Sequence, residues 1–164
     1  MSKFQSTKLY DGFSTCYRDW KSETKSKYLH GSAISFRVWF EGELDERNWV
    51  MDFGFAKRAK TKITGLTDAY GFDLIDMQPK DYFTYLLDHT TIVAQDDPHL
   101  ETFRQMDKDG IIQLRMLPAT GCEQFAKYLY EIINSFLKKE TNGRVKAAKV
   151  EVYEHERNSA SYGE

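Results

Sequence analysis

HGSAISFRVWFEGE, residues 30–43, alternates in period two: Ile34, Phe36, Val38 and Phe40 fall on one face, Ser35, Arg37, Trp39 and Glu41 on the other. This is the pattern of a strand with one face in a core and one face wet. His30 and Ser32 continue the Ile34 face, so the face that feeds the core also carries whatever chemistry the strand has. A His-Gly-His triplet at such a strand start supplies two metal ligands in many small enzymes, but here the third letter is Ser32. The choice therefore lies between a metalloenzyme, a metal-free relative and a binding protein.

Upstream, KLYDGFSTCYRDW (8–20) is rich in β-branched and aromatic residues and reads as a second strand. Downstream, the turn-like ELDERN leads to WVMDFGFAKRAKTK, where Asp52 is placed to cap a helix running to about Lys62. TGLTDAYGFDLIDMQPKD, with two glycines and a proline, reads as an irregular excursion before DYFTYLLDHTT. A short helix over LETFRQMDKDG and a short strand over IIQLRMLP follow. The clearest helix is ATGCEQFAKYLYEIINSFLKK, which spaces Phe125, Leu129, Ile132, Ile133 and Phe136 along one face. Asn142-Gly143 breaks it, and RVKAAKVEVYEH and SASYGE close the chain as two strands with ERNS as their turn. The coarse order, β-β-α-excursion-α-β-β, predicts an α+β protein with an antiparallel sheet and helices on one face. The other face of that sheet calls for cover by another subunit.

The chain has 164 residues, enough for one domain burying roughly two-thirds of its unfolded surface. With 41% hydrophobic and 29% charged residues and no apolar run of about 18 residues, it has the composition of a packed soluble protein rather than a membrane span. MSKFQSTKLY lacks the apolar core of a secretory signal, and two cysteines, Cys16 and Cys122, make no disulfide framework, so a reduced, cytoplasmic setting is expected. A net charge of −2 argues against a nucleic-acid surface, which needs excess Lys and Arg to displace counterions. The local exception is Arg18, Lys21, Lys25 and Lys27, read either as a solvated loop or as the rim of a pocket for an anionic small molecule.

Six stretches, FSTCYR (13–18), LHG (29–31), EGELDERNWVMDFG (41–54), LDH (87–89), PATGCEQFA (118–126) and VYEHERNSASYGE (152–164), stand in an order that resembles the 6-pyruvoyl- and 6-carboxy-tetrahydropterin synthase family. The resemblance reaches almost the whole of residues 1–164 as one domain, with 65–85 as an insertion. It implies a tunnelling fold: a four-stranded antiparallel sheet with two main helices on one face, closed into a β-barrel when three chains assemble, with two trimers usually stacking into a hexamer. It also implies a pterin-type pocket at a subunit boundary, and a lyase acting on a dihydroneopterin triphosphate-like compound in queuosine or related pterin metabolism. The alternative is a pterin- or purine-binding protein of the same fold without lyase activity.

Position by position, the resemblance makes Glu154 the carboxylate that anchors the ring. A carboxylate accepts two parallel hydrogen bonds from the amino and ring N–H groups of a 2-amino-4-oxo heterocycle, and a ring lacking those donors leaves the charge unpaired. Glu156 is the nearby competitor for that role. Thr120 and Glu123 have the spacing of a capping box, which accounts for both without a ligand, while the resemblance gives them a second duty at the ring. Asp88-His89 matches the family's acid/base pair, since a carboxylate beside an imidazole holds one tautomer and favours its charged form.

The family's zinc site calls for three histidines, and this chain keeps only His30, with Tyr17 and Ser32 at the other two positions. Tyrosine and serine are poor zinc ligands near neutral pH because each must first lose a proton from a high-pKa hydroxyl. Cys16 is a better donor but one residue out of phase, facing the other way unless a bulge re-aims it. Zinc is therefore not expected to bind tightly. The position of the family's catalytic cysteine is Ser26, a much weaker base. Cys122 is either a small core residue at a helix start or, with its thiol activated by the helix dipole, a substitute. The expected partners are a small pterin-like molecule and further copies of the chain, as trimer or hexamer.

Overall fold

A computed structural model of the chain describes residues 3–67 and 74–164. Strands β1 (Phe4–Tyr17) and β2 (His30–Gly42) are followed by a short helix α1 (Phe55–Arg58), strands β3 (Ile63–Thr67) and β4 (Leu74–Met77), and helix α2 (Pro79–Leu87). Next come β5 (Thr90–Ala94), α3 (Leu100–Lys108), β6 (Leu114–Leu117), the long helix α4 (Cys122–Glu140) and the closing strands β7 (Val145–His155) and β8 (Asn158–Gly163). The α+β class expected from the sequence is the one observed.

The antiparallel set β1-β2-β7-β8 lies at the heart of the fold, but the sheet is six-stranded, in the order β6-β5-β1-β2-β7-β8, not four-stranded. The two extra strands are parallel. β5 pairs only with the end of β1, Thr15–Tyr17, and β6 pairs with β5. β5 was hidden because its five residues, Thr90–Ala94, are all buried and show no alternation.

The core face of the sheet carries Ile34, Phe36, Val38, Phe40, Val150 and Val152, each with no exposed surface. Helix α4 lays Phe125, Leu129, Ile132, Ile133 and Phe136 onto it, as their spacing predicts. Burying each such side chain is worth about 1.5–3 kcal/mol, so this seam is the main source of stability. On β1, Tyr10 and Phe13 both pack on Phe36, at centroid distances of 5.1 and 6.0 Å, although they are three residues apart. A bulge at Asp11-Gly12, with Gly12 at φ +85°, absorbs the odd residue and keeps both rings inward.

Several local expectations are corrected. The helix after Asp52 spans only Phe55–Arg58. The Asp52 carboxylate accepts the Gly54 N–H at 2.8 Å and holds Arg58 at 2.7 Å, while Glu140 accepts the N–H groups of Lys60 and Thr61 and draws the chain away. The excursion at 65–85 is regular where it is described: β3 and β4 pair, and Pro79 opens α2; residues 68–73 lie outside the described residues. The helices are not all on one face. Ile92 joins the main core while its neighbour Val93 packs with Phe103 of α3, which places α3 on the opposite face. The closing hairpin turns on Glu156-Arg157 alone, so Asn158 and Ser159 are strand residues.

Candidate functional site

At the end of the core face, beyond Ile34 and Val152, alternation places His30, Ser32 and Glu154 beside Tyr17 and under the first turn of α4. The register sets Tyr17 directly opposite His30, and their rings meet at 4.7 Å. The Tyr17 hydroxyl donates to Glu154 Oε1 at 3.4 Å and lies within hydrogen-bonding reach of Ser32. His30 Nε2 stands 3.6 Å from the same carboxylate oxygen, while Nδ1 is 2.8 Å from the Tyr28 carbonyl. That carbonyl can only accept, so Nδ1 carries the hydrogen of that bond and Nε2 faces the Glu154 carboxylate. The Glu154 side chain keeps 29% of its surface exposed. It thus forms the floor of an open cleft rather than a sealed core pair.

The cleft has a volume of ≈ 180 Å³ and is lined by Tyr17, His30, Cys122, Glu123 and Glu154, with Ser26 at its rim. Glu156, the competing carboxylate, lies in the hairpin turn and does not line it. Asp19, Asn158 and Ser159 also line the cleft and were not singled out from the sequence. Asn158 and Ser159 were hidden by the longer turn assigned there. The pairing of Tyr153 with Ser159 and His155 with Asn158 would have revealed them, since it brackets Glu154.

Burial, then the Glu154 charge, pushes the Cys122 thiol up to about 11, despite a hydrogen bond from the Glu154 backbone. The helix dipole therefore does not activate it, and Cys122 stays a thiol near neutrality. Burial first, then the neighbouring Cys122 and Glu154, likewise raises the Tyr17 phenol, which remains a donor. The capping box is not formed: Gly121, at φ 112°, is the N-cap of α4, and the Thr120 hydroxyl donates to the Arg18 carbonyl at 2.7 Å. Thr120 thus fastens the entry of α4 to the end of β1.

The donor set does not suit zinc. The three positions come together as expected, but the phenol is spent on Glu154 and holds its proton, and Ser32 is an alcohol. Cys16 lies on the opposite face near Thr91, its thiol raised by burial; the bulge at Asp11-Gly12 does not re-aim it. Among the described residues no group of three His, Cys, Asp or Glu side chains could hold a metal ion.

Two members of the basic run form ion pairs. Arg18 grips Asp97 with two hydrogen bonds of 2.7 and 2.8 Å, and Lys21 lies 3.4 Å from Asp96. Burial alone would raise the Asp97 carboxyl, but the Arg18 guanidinium and the His99 N–H outweigh it and hold the group below its ordinary range.

Asp88 and His89 lie outside the cleft, at the junction of α2 and β5. Asp88 Oδ1 accepts the Ser14 N–H at 3.0 Å, and Oδ2 faces His89 Nδ1 at 3.1 Å. The Ser14 bond, aided by His89, keeps the Asp88 carboxyl below its usual value. His89 sits at φ 56° with its N–H bonded to the Ser14 carbonyl at 2.6 Å, and its side chain is 77% exposed. The Ser14 main chain thus holds Asp88 and the His89 backbone, and the imidazole is aimed outward.

The class is a mixed-sheet α+β domain with a carboxylate-lined cleft at one end of the sheet and an outward Asp-His pair on a separate edge. The chain belongs to the 6-pyruvoyl tetrahydropterin synthase family, whose model matches residues 7–164. Solved structures similar to it include an uncharacterized protein from Wolinella succinogenes, at 19% identity and a TM-score of 0.75, covering 99% of both chains. The Caenorhabditis elegans 6-pyruvoyl tetrahydropterin synthase shares 17% identity at a TM-score of 0.58, covering 100% of this chain and 97% of that one. The Plasmodium vivax enzyme of that name shares 14% at 0.60, covering 98% of each. At these identities the likeness is one of fold. Curated proteins give no match. Among the described residues, no helix is long and apolar enough to cross a membrane.

Proposed function

We propose that the protein holds the ring of a pterin-type compound against Glu154 and acts on a dihydroneopterin triphosphate-like substrate as a 6-carboxy- or 6-pyruvoyl-tetrahydropterin synthase-like lyase that does not depend on zinc. Such a product would serve queuosine or a related pterin pathway. The observation that carries the reading is the floor of the cleft. Glu154 Oε1 takes the Tyr17 hydroxyl, and Oε2 makes no hydrogen bond among the described residues, which leaves acceptor capacity for a ring amino group.

The cleft of ≈ 180 Å³ is smaller than the roughly 300–1,000 Å³ of a typical small-molecule site, so one chain supplies only part of the pocket. A second copy would complete it, bringing its own Asp88 and His89 over the opening in a trimer or hexamer. In that assembly Asp88 fixes the Nδ1–H tautomer of His89 and leaves Nε2 free to take or return a proton on the substrate side chain. Tyr17 and His30 hold Glu154 in place. Ser26 and Glu123 border the entry, where the substrate side chain would leave the ring.

A second reading, ring binding without turnover, is favoured by one observation: the Tyr17 hydroxyl and His30 Nε2 both turn to Glu154 instead of leaving an open position for a metal. Chelator-treated protein incubated with dihydroneopterin triphosphate separates the two. A tetrahydropterin product supports the lyase. Bound pterin without product supports the binding protein. Failure of Glu154→Gln to weaken ring binding overturns both.

A further inference from the structure

A second cavity beside β1 lies apart from the Glu154 cleft. This cavity of ≈ 510 Å³ opens between the Asp11-Gly12 bulge, α1 and α2, and four cations border it: Lys8, Lys57, Arg58 and Lys80. Arg58 is engaged by Asp52 at 2.7 Å. No carboxylate among the described residues comes within ion-pair distance of Lys8, Lys57 or Lys80. Of the two acids in the lining, Asp88 is taken up by Ser14 and His89, and Asp11 lies in the bulge.

The Lys57 and Lys80 amines stand within hydrogen-bonding reach of each other, with the Lys80 contact the first cause, and the charges of Lys80, Arg58 and Lys8 further causes, of a lowered Lys57 pKa. Two ammonium groups this close repel each other, and a bound anion would relieve that repulsion. Tyr10 contributes to the lining with its ring packed on Phe36 and Phe83, and its buried hydroxyl has no hydrogen-bond partner among the described residues. Gly12 adds room, since a Cβ there would meet nothing within 4 Å.

We infer that this cavity binds a small phosphoryl polyanion, with Lys8, Lys57 and Lys80 as its charge partners. Three ammonium groups, with the one guanidinium of the lining already taken by Asp52, suit the distributed charge of a polyphosphate better than the planar face of a single carboxylate. The site does not rest on the Glu154 reading, because it shares no lining residue with that cleft.

Isothermal titration of the full chain with inorganic triphosphate, at low salt, tests the assignment. Wild type should bind, with affinity falling as salt rises, and Lys57→Gln/Lys80→Gln should weaken binding about thirtyfold, as two lost charge pairs near the surface imply. Both lysines are exposed, so the double variant should keep its circular dichroism spectrum and melting temperature. Glu154→Gln should bind triphosphate like wild type, whatever it does to ring binding. A nucleoside triphosphate binding tenfold tighter than triphosphate identifies a phosphate tail as the ligand; equal binding identifies the free polyanion. No binding by wild type, equal binding of citrate, or loss of binding on Lys21→Gln/Lys25→Gln instead would each overturn the proposal.

Discussion

The Glu154 cleft and the Asp88–His89 corner both lean on the last residues of β1, yet they are wired in opposite senses. In the cleft, Tyr17 and His30 turn inward to one carboxylate oxygen, so the side chains satisfy one another. At the corner, Asp88 and His89 are fixed by the Ser14 main chain and the imidazole is left in solvent. On the proposed function, the difference would divide the site between copies, one edge receiving the ring and another delivering the imidazole.

Removing what both regions stand on should have the largest effect. Phe36 is fully buried and packs on both Tyr10 and Phe13, the segment that sets the course of β1 into both regions. Phe36→Ala should cost about 3–5 kcal/mol in denaturant unfolding and cripple both regions together. Next is the clamp between them. Asp97 is almost fully buried against Arg18, and Asp97→Asn should cost about 2–3 kcal/mol, less than a wholly buried pair because Arg18 reaches solvent. Its folded carboxyl lies below the unfolded value, so this stability is present above about pH 4 and lost as pH falls through the folded pKa. Wild type should thus lose stability on acidification that Asp97→Asn has already lost. A parallel acid profile in the two proteins would refute the clamp.

Glu154→Gln separates the regions. The Tyr17 hydroxyl can still bond the amide oxygen, so stability should change by less than about 1 kcal/mol. Pterin affinity, measured by fluorescence titration, should fall about a hundredfold, because the paired charge-assisted bonds are gone. Unchanged affinity would remove the cleft from the functional account.

Much of this was legible in the residues, for reasons that differ by element. Alternation in 30–43 and helical spacing in 119–139 announced β2 and α4, because each has one buried face and one wet one. β5 has no wet face, so it carries no period to read. Thr120 and Glu123 have a capping-box spacing, but Gly121 between them takes the N-cap with a positive φ, and tertiary demand from the Arg18 carbonyl claims the Thr120 hydroxyl. That His30 and Ser32 share a face followed from period two, while the place of Tyr17 beside them came only from the family resemblance. The hydrogen bonding to Glu154 followed from neither, since β7 lies more than a hundred residues away in sequence. The outward aim of His89 was equally invisible, because it depends on one main-chain clamp to Ser14.

The smallest structural effect should come from the most consequential atom of the corner. The His89 side chain is 77% exposed and pairs with Asp88, so His89→Ala should shift stability by about 0.5 kcal/mol or less. If a second copy delivers this imidazole, the variant should still bind pterin in the Glu154 cleft while turnover drops by about 10²–10⁴, the range for losing a general acid or base. Mixing His89→Ala with Glu154→Gln supplies the decisive arm. Each variant lacks a different edge, so mixed oligomers contain some sites with both edges intact. Recovered turnover on mixing requires a site shared between chains, whereas two inactive variants that stay inactive together, despite exchanging subunits, would place the whole reaction within one chain.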